Sequence, residues 1–205
     1  MTLKNPDIRV EQDTPLAKYT TFRLGARCQG IFHCQSPQQL EETIHTLIKE
    51  KKTFILIGGG SNLVVSDEPL DCYVVRYCTD KPIIEQNGVT LTVSGSTKLD
   101  HLALFAAQRG LEGISYTTGI PGTVGGAVVG NAGAWGKQTG DILTSVDLIS
   151  PKGVKKNSSG RRPAFYLPRF NPEKNRRHCC FSCLVAAKGR RKGVVGRTGK
   201  DPGRT

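Results

Sequence analysis

Two glycine runs with small polar neighbours are the residues of this chain best suited to chemistry. The first is Gly58-Gly59-Gly60-Ser61-Asn62, with Leu63 behind it. The second is Gly119-Ile120-Pro121-Gly122-Thr123-Val124-Gly125-Gly126, followed by Asn131-Ala132-Gly133-Ala134-Trp135-Gly136. Glycine has no Cβ, so bare backbone can lie against a ligand and successive N–H groups can converge on an anion. The Ser61 hydroxyl and the Asn62 amide add further donors. Two such loops in one chain imply a long ligand with a phosphate centre. The plain alternative is a pair of tight surface turns, but ordinary turns need one or two glycines rather than three or four.

Neither common nucleotide fingerprint fits. The Gly199-Lys200 pair is followed by Asp201 and has no strand before it, so there is no Gly-x4-Gly-Lys-Ser/Thr loop. Counting G-x-G-x-x-G from Gly58, Gly60 matches but the third position is Leu63. A different backbone cradle is implied, one that does not need a helix N-terminus.

The elements that must hold these loops are legible on either side. Residues 30–35 have strand character, and Ser36-Pro37-Gln38-Gln39 reads as an N-cap, a proline at the first helical position and a capping-box glutamine. Leu40, Ile44, Leu47 and Ile48 then form one helical stripe. Phe54-Ile55-Leu56-Ile57 is a strand-length apolar run delivering the first glycine loop, which completes a βαβ unit. Further strands are expected at 72–77, 89–93 and 142–149. A second helix is expected over 98–109, with Leu99, Leu102, Phe105 and Ala106 inward and Gly110 ending it. Ala127-Val128-Val129 reads as strand and Pro151-Lys152-Gly153 as a turn. Trp135 reads as a core aromatic rather than a ring stacked on a ligand.

The formal charge of +12 divides unevenly along the chain. Residues 1–150 carry 13 Lys+Arg against 15 Asp+Glu, and residues 151–205 carry 16 against 2. A basic groove belonging to the folded body would show in the body's own composition, so specific nucleic-acid binding is not expected of it. With no secretory leader and no long apolar span, the chain reads as cytoplasmic, without membrane contact. In that compartment thiols stay reduced, and Cys28, Cys34, Cys72 and Cys78 read as small core residues. His33, His45 and His101 fall on strand or helix positions and read as structural.

Taken together, Leu56 to Leu63, Gly119 to Ala127 and Asn131 to Gly136 resemble the UDP-N-acetylenolpyruvoylglucosamine reductase family. Pro15-Leu16-Ala17-Lys18-Tyr19-Thr20-Thr21-Phe22-Arg23-Leu24-Gly25 is similar to that family's N-terminal signature. The resemblance covers roughly residues 10–155. It implies an α/β (α+β) fold: a two-subdomain FAD-binding domain of the vanillyl-alcohol oxidase (PCMH) type, lacking the family's C-terminal substrate domain. The corresponding division is an N-terminal segment 1–22, an FAD-binding domain 23–156 with subdomains 23–80 and 81–156, and a basic, poorly ordered tail 157–205. It implies FAD as cofactor, NADPH as hydride donor and a UDP-sugar enolpyruvyl ether as substrate. Gly58, Gly59, Gly60, Ser61, Asn62 and Leu63 would lie at the FAD pyrophosphate. Gly119, Ile120, Pro121, Gly122, Thr123, Gly125 and Gly126 would face its flavin half, with Asn131 and Ala132 bordering the same site.

The family's catalytic arginine sits in a Phe-x-Tyr-Arg-x-Ser-x-Phe segment. Here Pro163-Ala164-Phe165-Tyr166-Leu167-Pro168-Arg169-Phe170 places Tyr166 where that arginine belongs, leaving Arg169 as the catalytic candidate, with an ordinary solvated arginine as the alternative. The family's serine proton donor and its carboxylate lie in the domain this chain is expected to lack. The arginine-rich, aperiodic tail is what a reading-frame change near residues 155–160 would produce. The competing expectation is therefore an inactive, truncated flavin-binding remnant whose tail binds nucleic acid non-specifically. Cys180 and Cys183 have half the spacing of a zinc site, and no second pair follows, so no metal site is expected.

Overall fold

The computed structural model describes residues 5–150, 152–159, 184–188 and 190–191. Arg169, His178 and the cysteines at 179, 180 and 183 lie outside the described residues. Two sheets carry the structure, one built from residues before position 78 and one from residues after position 83.

The first sheet contains β1 (Arg9–Pro15), β2 (Arg27–Cys34), β3 (Phe54–Ile57) and β4 (Leu70–Tyr77), in the order β1-β2-β4-β3. Strands β2, β4 and β3 run parallel, and β1 pairs antiparallel with β2. Helix α1 (Pro37–Lys49) makes the parallel crossover from β2 to β3. Its start is the one the sequence predicts: the Gln39 N–H donates to the Ser36 hydroxyl, the Gln39 side chain accepts from the Ser36 N–H, and Pro37 is the first helical residue. Leu40, Ile44 and Leu47 are fully buried and pack with Phe32, Cys34, Val75 and Tyr77. On the opposite face Leu16, Cys28, Ile31, Ile57, Val65 and Val74 form a second cluster. Residues 9–15, expected within a separate N-terminal segment, are the edge strand of this sheet. Thr14 is the one buried residue of β1, so no apolar alternation betrays the strand; its ladder to β2 holds it.

The second half of the chain adds β5 (Ile84–Asn87), β6 (Thr90–Ser94), α2 (Leu99–Gln108), β7 (Leu111–Glu112) and α3 (Val124–Gly130). It continues with β8 (Gly133–Ala134), β9 (Lys137–Gln138), α4 (Thr139–Ile142), β10 (Leu143–Ile149), β11 (Lys155–Ser159), β12 (Leu184–Lys188) and β13 (Arg190–Arg191). The second sheet is antiparallel throughout, in the order β11-β10-β12-β6-β5. Leu91 and Val93 of β6 and Leu143 and Val146 of β10 pack on Leu99, Leu102 and Ala106 of α2 and on Val124, Ala127 and Val128 of α3.

Two expectations, for residues 127–129 and for Trp135, are corrected here. Residues 127–129, expected as strand, belong to α3, because the Thr123 hydroxyl accepts the Gly126 N–H at the helix start and Asn131 closes the end at φ 45°. A three-residue apolar run carries no period of its own. Of residues 157–205, expected as a poorly ordered tail, the described ones continue β11 to Ser159 and supply β12, which lies between β10 and β6; the remainder lie outside the described residues. Trp135, expected in the core, is 91% exposed. It stands at φ 55° beside Gly136 at φ 74°, in the tight turn joining β8 to β9.

Candidate functional site

A cleft of about 490 Å³ opens where the ends of β3 and β4 meet the turn after β6 and the start of α3. Both glycine loops line it. Gly58, Gly59, Gly60, Ser61, Asn62 and Leu63 come from the first, and Ile120, Pro121, Gly122, Thr123, Gly125, Gly126 and Ala132 from the second. Gly119 and Asn131 do not line it. Gly119 is a left-handed turn residue at φ 79°, and the Asn131 side chain is engaged elsewhere: it donates to Gln138 Oε1 at 2.9 Å and accepts the Gly140 N–H at 2.9 Å.

The loops clasp each other as well as framing the cleft. Gly60 sits at φ 70°, and a Cβ there would run into the Tyr19 carbonyl oxygen. Gly122 sits at φ 125°, and a Cβ there would press within 2.8 Å of the Ser61 hydroxyl. A side chain at Gly58 would meet the buried Thr123 hydroxyl. Part of the glycine requirement is thus loop against loop. Ser61, expected as a donor to the ligand, donates its hydroxyl to the Pro121 carbonyl at 3.0 Å. Further contacts fix the arrangement: Thr21 N–H donates to Gly60 O, Leu99 N–H to Gly122 O, and Gly125 N–H to Gly95 O at 2.9 Å. By contrast, the N–H groups of Gly59, Gly60, Ser61 and Asn62 make no hydrogen bond among the described residues. Successive open backbone donors at a cleft wall are the kind of arrangement an anion-binding concavity is built from.

Leu56, Ile57, Tyr77, Gly95, Leu99, Ala127, Val129 and Gly130 also line the cleft and are not among the sequence candidates. Gly95, in Ser94-Gly95-Ser96 between β6 and α2, has a legible signal: a third small-residue turn following a strand. Tyr77 has none. Its ring is buried at the cleft wall and its hydroxyl starts a chain, 2.8 Å to Ser94 Oγ, 2.9 Å on to Ser96 Oγ, and 2.7 Å to the Gln35 carbonyl. A carbonyl only accepts, so Ser96 donates to Gln35, Ser94 to Ser96 and Tyr77 to Ser94. That one-way chain joins the end of β4 to the end of β6 and back to the residue after β2, tying the sheets together beside the cleft.

Among the described residues, no side chain lining the cleft is an acid, a cation or a histidine. Its walls can bind, orient and exclude water; proton and redox chemistry must come from groups brought to it. The histidines and cysteines stand apart. His33 lies 3.0 Å from Glu11, which also accepts from the Tyr19 hydroxyl at 2.6 Å and pairs with Arg9 at 2.7 Å. Burial first, opposed by the nearby Glu11 carboxylate, holds the His33 imidazole below its ordinary pKa. His45 Nε2 contacts the Gly153 carbonyl at 2.9 Å, and His101 lies on α2. Cys28, Cys34, Cys72 and Cys78 are buried free thiols, as expected of core residues. Burial pushes the Cys34 thiol up to about 12, against a smaller lowering by its hydrogen bond with Thr43, so none of it is thiolate at neutral pH. Among the described residues no three His, Cys, Asp or Glu side chains group as a metal site, and no helix is long and apolar enough to cross a membrane.

Comparison with known proteins agrees with this geometry. Residues 28–157 match the family model described as "FAD binding domain". A UDP-N-acetylenolpyruvoylglucosamine reductase of Synechococcus sp. is 37% identical over 142 residues, 68% of this chain and 45% of the relative. The chain spans about half the length of the curated relatives it matches. Among solved structures, the Thermus caldophilus UDP-N-acetylenolpyruvylglucosamine reductase superposes with a TM-score of 0.63 at 25% identity, over 89% of this chain and 62% of that one. The glucooligosaccharide oxidase of Acremonium strictum shares the fold, with a TM-score of 0.62 at 13% identity over 90% of this chain and 41% of the oxidase. The paired sheets with glycine loops at their junction are therefore a shared inheritance: the chain belongs to the FAD binding domain family, and its similar curated relatives are UDP-N-acetylenolpyruvoylglucosamine reductases.

Proposed function

We propose that this chain holds FAD in the cleft, and that it serves the NADPH-dependent reduction of a UDP-sugar enolpyruvyl ether, UDP-N-acetylglucosamine enolpyruvate, to UDP-N-acetylmuramate for peptidoglycan synthesis, in the cytoplasm. The observation that carries the reading is the open run of backbone donors from Gly59 to Asn62 on a cleft that no carboxylate lines among the described residues. A diphosphate needs such donors and is repelled by acidic neighbours. The apolar walls contributed by Ile57, Leu99, Ile120 and Val129 suit a flat ring system. The residues present therefore fit the cofactor.

When bound, the flavin supplies the hydride transfer from NADPH to the vinyl carbon of the substrate. The chain's own part is positional. Gly59 to Asn62 hold the diphosphate, the Gly122–Thr123 backbone stiffened by Pro121 sets the opposite wall, and the Tyr77 chain keeps the two walls at a fixed separation. Among the described residues, none lining the cleft is placed to deliver the quenching proton, and Arg169 remains the proposed charge-stabilising group.

That same lack of a proton donor favours one other reading, a flavin-binding chain without turnover. Titration of the purified protein with FAD, followed by NADPH and substrate, separates the possibilities. Bound flavin absorbance with substrate-dependent NADPH oxidation supports the reductase; bound flavin without turnover supports the second reading; folded protein that takes up no FAD removes both.

A further inference from the structure

Among the described residues, the cleft proposed for a diphosphate has no cationic side chain on its walls. Backbone N–H groups carry partial charge only, so a full positive charge behind the loop would add to their hold on an anion. Among the described residues, Arg76 is one cation that stands there. Arg76, the penultimate residue of β4, is in register with Ile57, the residue that lines the cleft and precedes Gly58. Its guanidinium carbon lies 5.2 Å from the centroid of the Tyr19 ring. The backbone of that tyrosine is what Gly60 packs on, and the next residue but one, Thr21, donates to the Gly60 carbonyl. The cation is therefore seated under the segment that supports the glycine loop.

Among the described residues, Arg76 also lacks a carboxylate partner. Arg9, Arg27, Lys98 and Lys155 each pair with a carboxylate, whereas Arg76 has no carboxylate within ion-pair distance among the described residues. Glu11, on the neighbouring surface, is taken by Arg9, His33 and the Tyr19 hydroxyl. The Nε of Arg76 is buried and makes no hydrogen bond. Keeping an unpaired cation partly out of water is costly unless a negative charge answers it.

We propose that Arg76 is an electrostatic positioning residue for a diphosphate-bearing ligand in the cleft, acting through the Tyr19–Gly60 contact without touching the ligand. This deepens the FAD reading and rests on it, but its central requirement is only an anion at the glycine loop. A single charge about 10 Å away, at an effective dielectric of about 50 between the protein-surface and bulk-water values, is worth about a tenfold change in affinity for a dianion.

Equilibrium binding of FAD, ADP and riboflavin to the wild-type chain and to Arg76→Met and Arg76→Lys tests it, with circular dichroism as the check on folding. The expected result is that Arg76→Met weakens FAD and ADP about tenfold at low salt, leaves riboflavin unchanged, and loses its effect as salt rises. Arg76→Lys, which keeps the charge, should stay near wild type; it also carries the test if Arg76→Met fails to fold. Equal weakening of FAD and riboflavin, or no weakening of FAD and ADP, overturns the proposal. If the wild type binds ADP or inorganic pyrophosphate but not FAD, the flavin reading fails while the role of Arg76 is still decided by the ADP comparison. If it binds none of these anions, both fall.

Discussion

Gly60 and Gly136 are both left-handed glycines, at φ 70° and 74°, yet only one is crowded. An alanine at Gly136 meets nothing within 4 Å, so Gly136→Ala carries only the backbone term, about 1–2 kcal/mol. At Gly60 the new methyl would strike the Tyr19 carbonyl, and backbone cannot step aside as a flexible side chain could. Gly60→Ala should therefore destabilise clearly more in denaturant melts and also abolish flavin uptake, which Gly136→Ala should spare; equal melts for the two would refute the crowding argument. A second residue-scale expectation concerns pH. Burial depresses the His33 pKa from its ordinary 6.5, so the unfolded chain takes up that proton first and stability falls as pH drops below 6.5. The Tyr19 hydroxyl, with His33 and Arg9, depresses Glu11 from 4.5; its contribution is present above that value and is lost as pH falls further. Both losses lie on the acid side. Melting temperature followed from pH 8 down to about 2.5 should decline in two stages, the first below 6.5 and the second below 4.5, and His33→Gln should remove the first; a profile unchanged by that substitution would show that His33 does not titrate with folding. The sequence shows the glycines plainly. It does not show that Ser61 turns to Pro121, or that Glu11, Tyr19, His33 and Arg76 converge, because those contacts join β1, β2 and β4 across the sheet.

Among the elements, α1 is readable from its letters because its signals are local: the cap, the first-turn proline and the apolar stripe all lie within thirteen residues. Strand β1 and helix α3 are not, since the first is held by ladder partners on β2 and the second by a threonine cap on a glycine-rich run. The seam between the sheets is the least legible part. Tyr77, Ser94, Ser96 and Gln35 meet through the fold alone. Because the chain's direction is fixed by the Gln35 carbonyl, Tyr77→Phe removes the one donor Tyr77 gives to Ser94, at about 1 kcal/mol. Ser96→Ala removes the link to the carbonyl and frees the remaining hydroxyls to reverse. The double variant should then cost less than the two single variants added, read from chemical denaturation as a double-mutant cycle. Strict additivity would mean that the hydroxyls do not act as one chain.

For the whole molecule, the decisive feature is that the second sheet is closed by residues distant in sequence. Strand β12 pairs with β10 on one side through Leu143 to Val146 and with β6 on the other through Thr90 to Ser94. Composition hides this: a segment surrounded by arginine and lysine reads as solvated, although Leu184-Val185-Ala186-Ala187 is its one uninterrupted apolar stretch of strand type. A chain ending at Ser159 would leave β10 and β6 with facing unpaired edges and would part β5-β6 from β10-β11. Several backbone hydrogen bonds would be lost, each worth about 1 kcal/mol, together with a continuous ladder beneath α2 and α3. Since α3 begins at the Thr123 cap and the preceding loop forms one wall of the cleft, loosening that sheet should reach the site. The shortened chain is therefore expected to melt at lower denaturant, to lose amide protection in β6 and β10 while keeping it in β2 and β4, and to bind FAD more weakly. Protection in β6 and β10 equal to that of the full chain would show that the second sheet stands without β12.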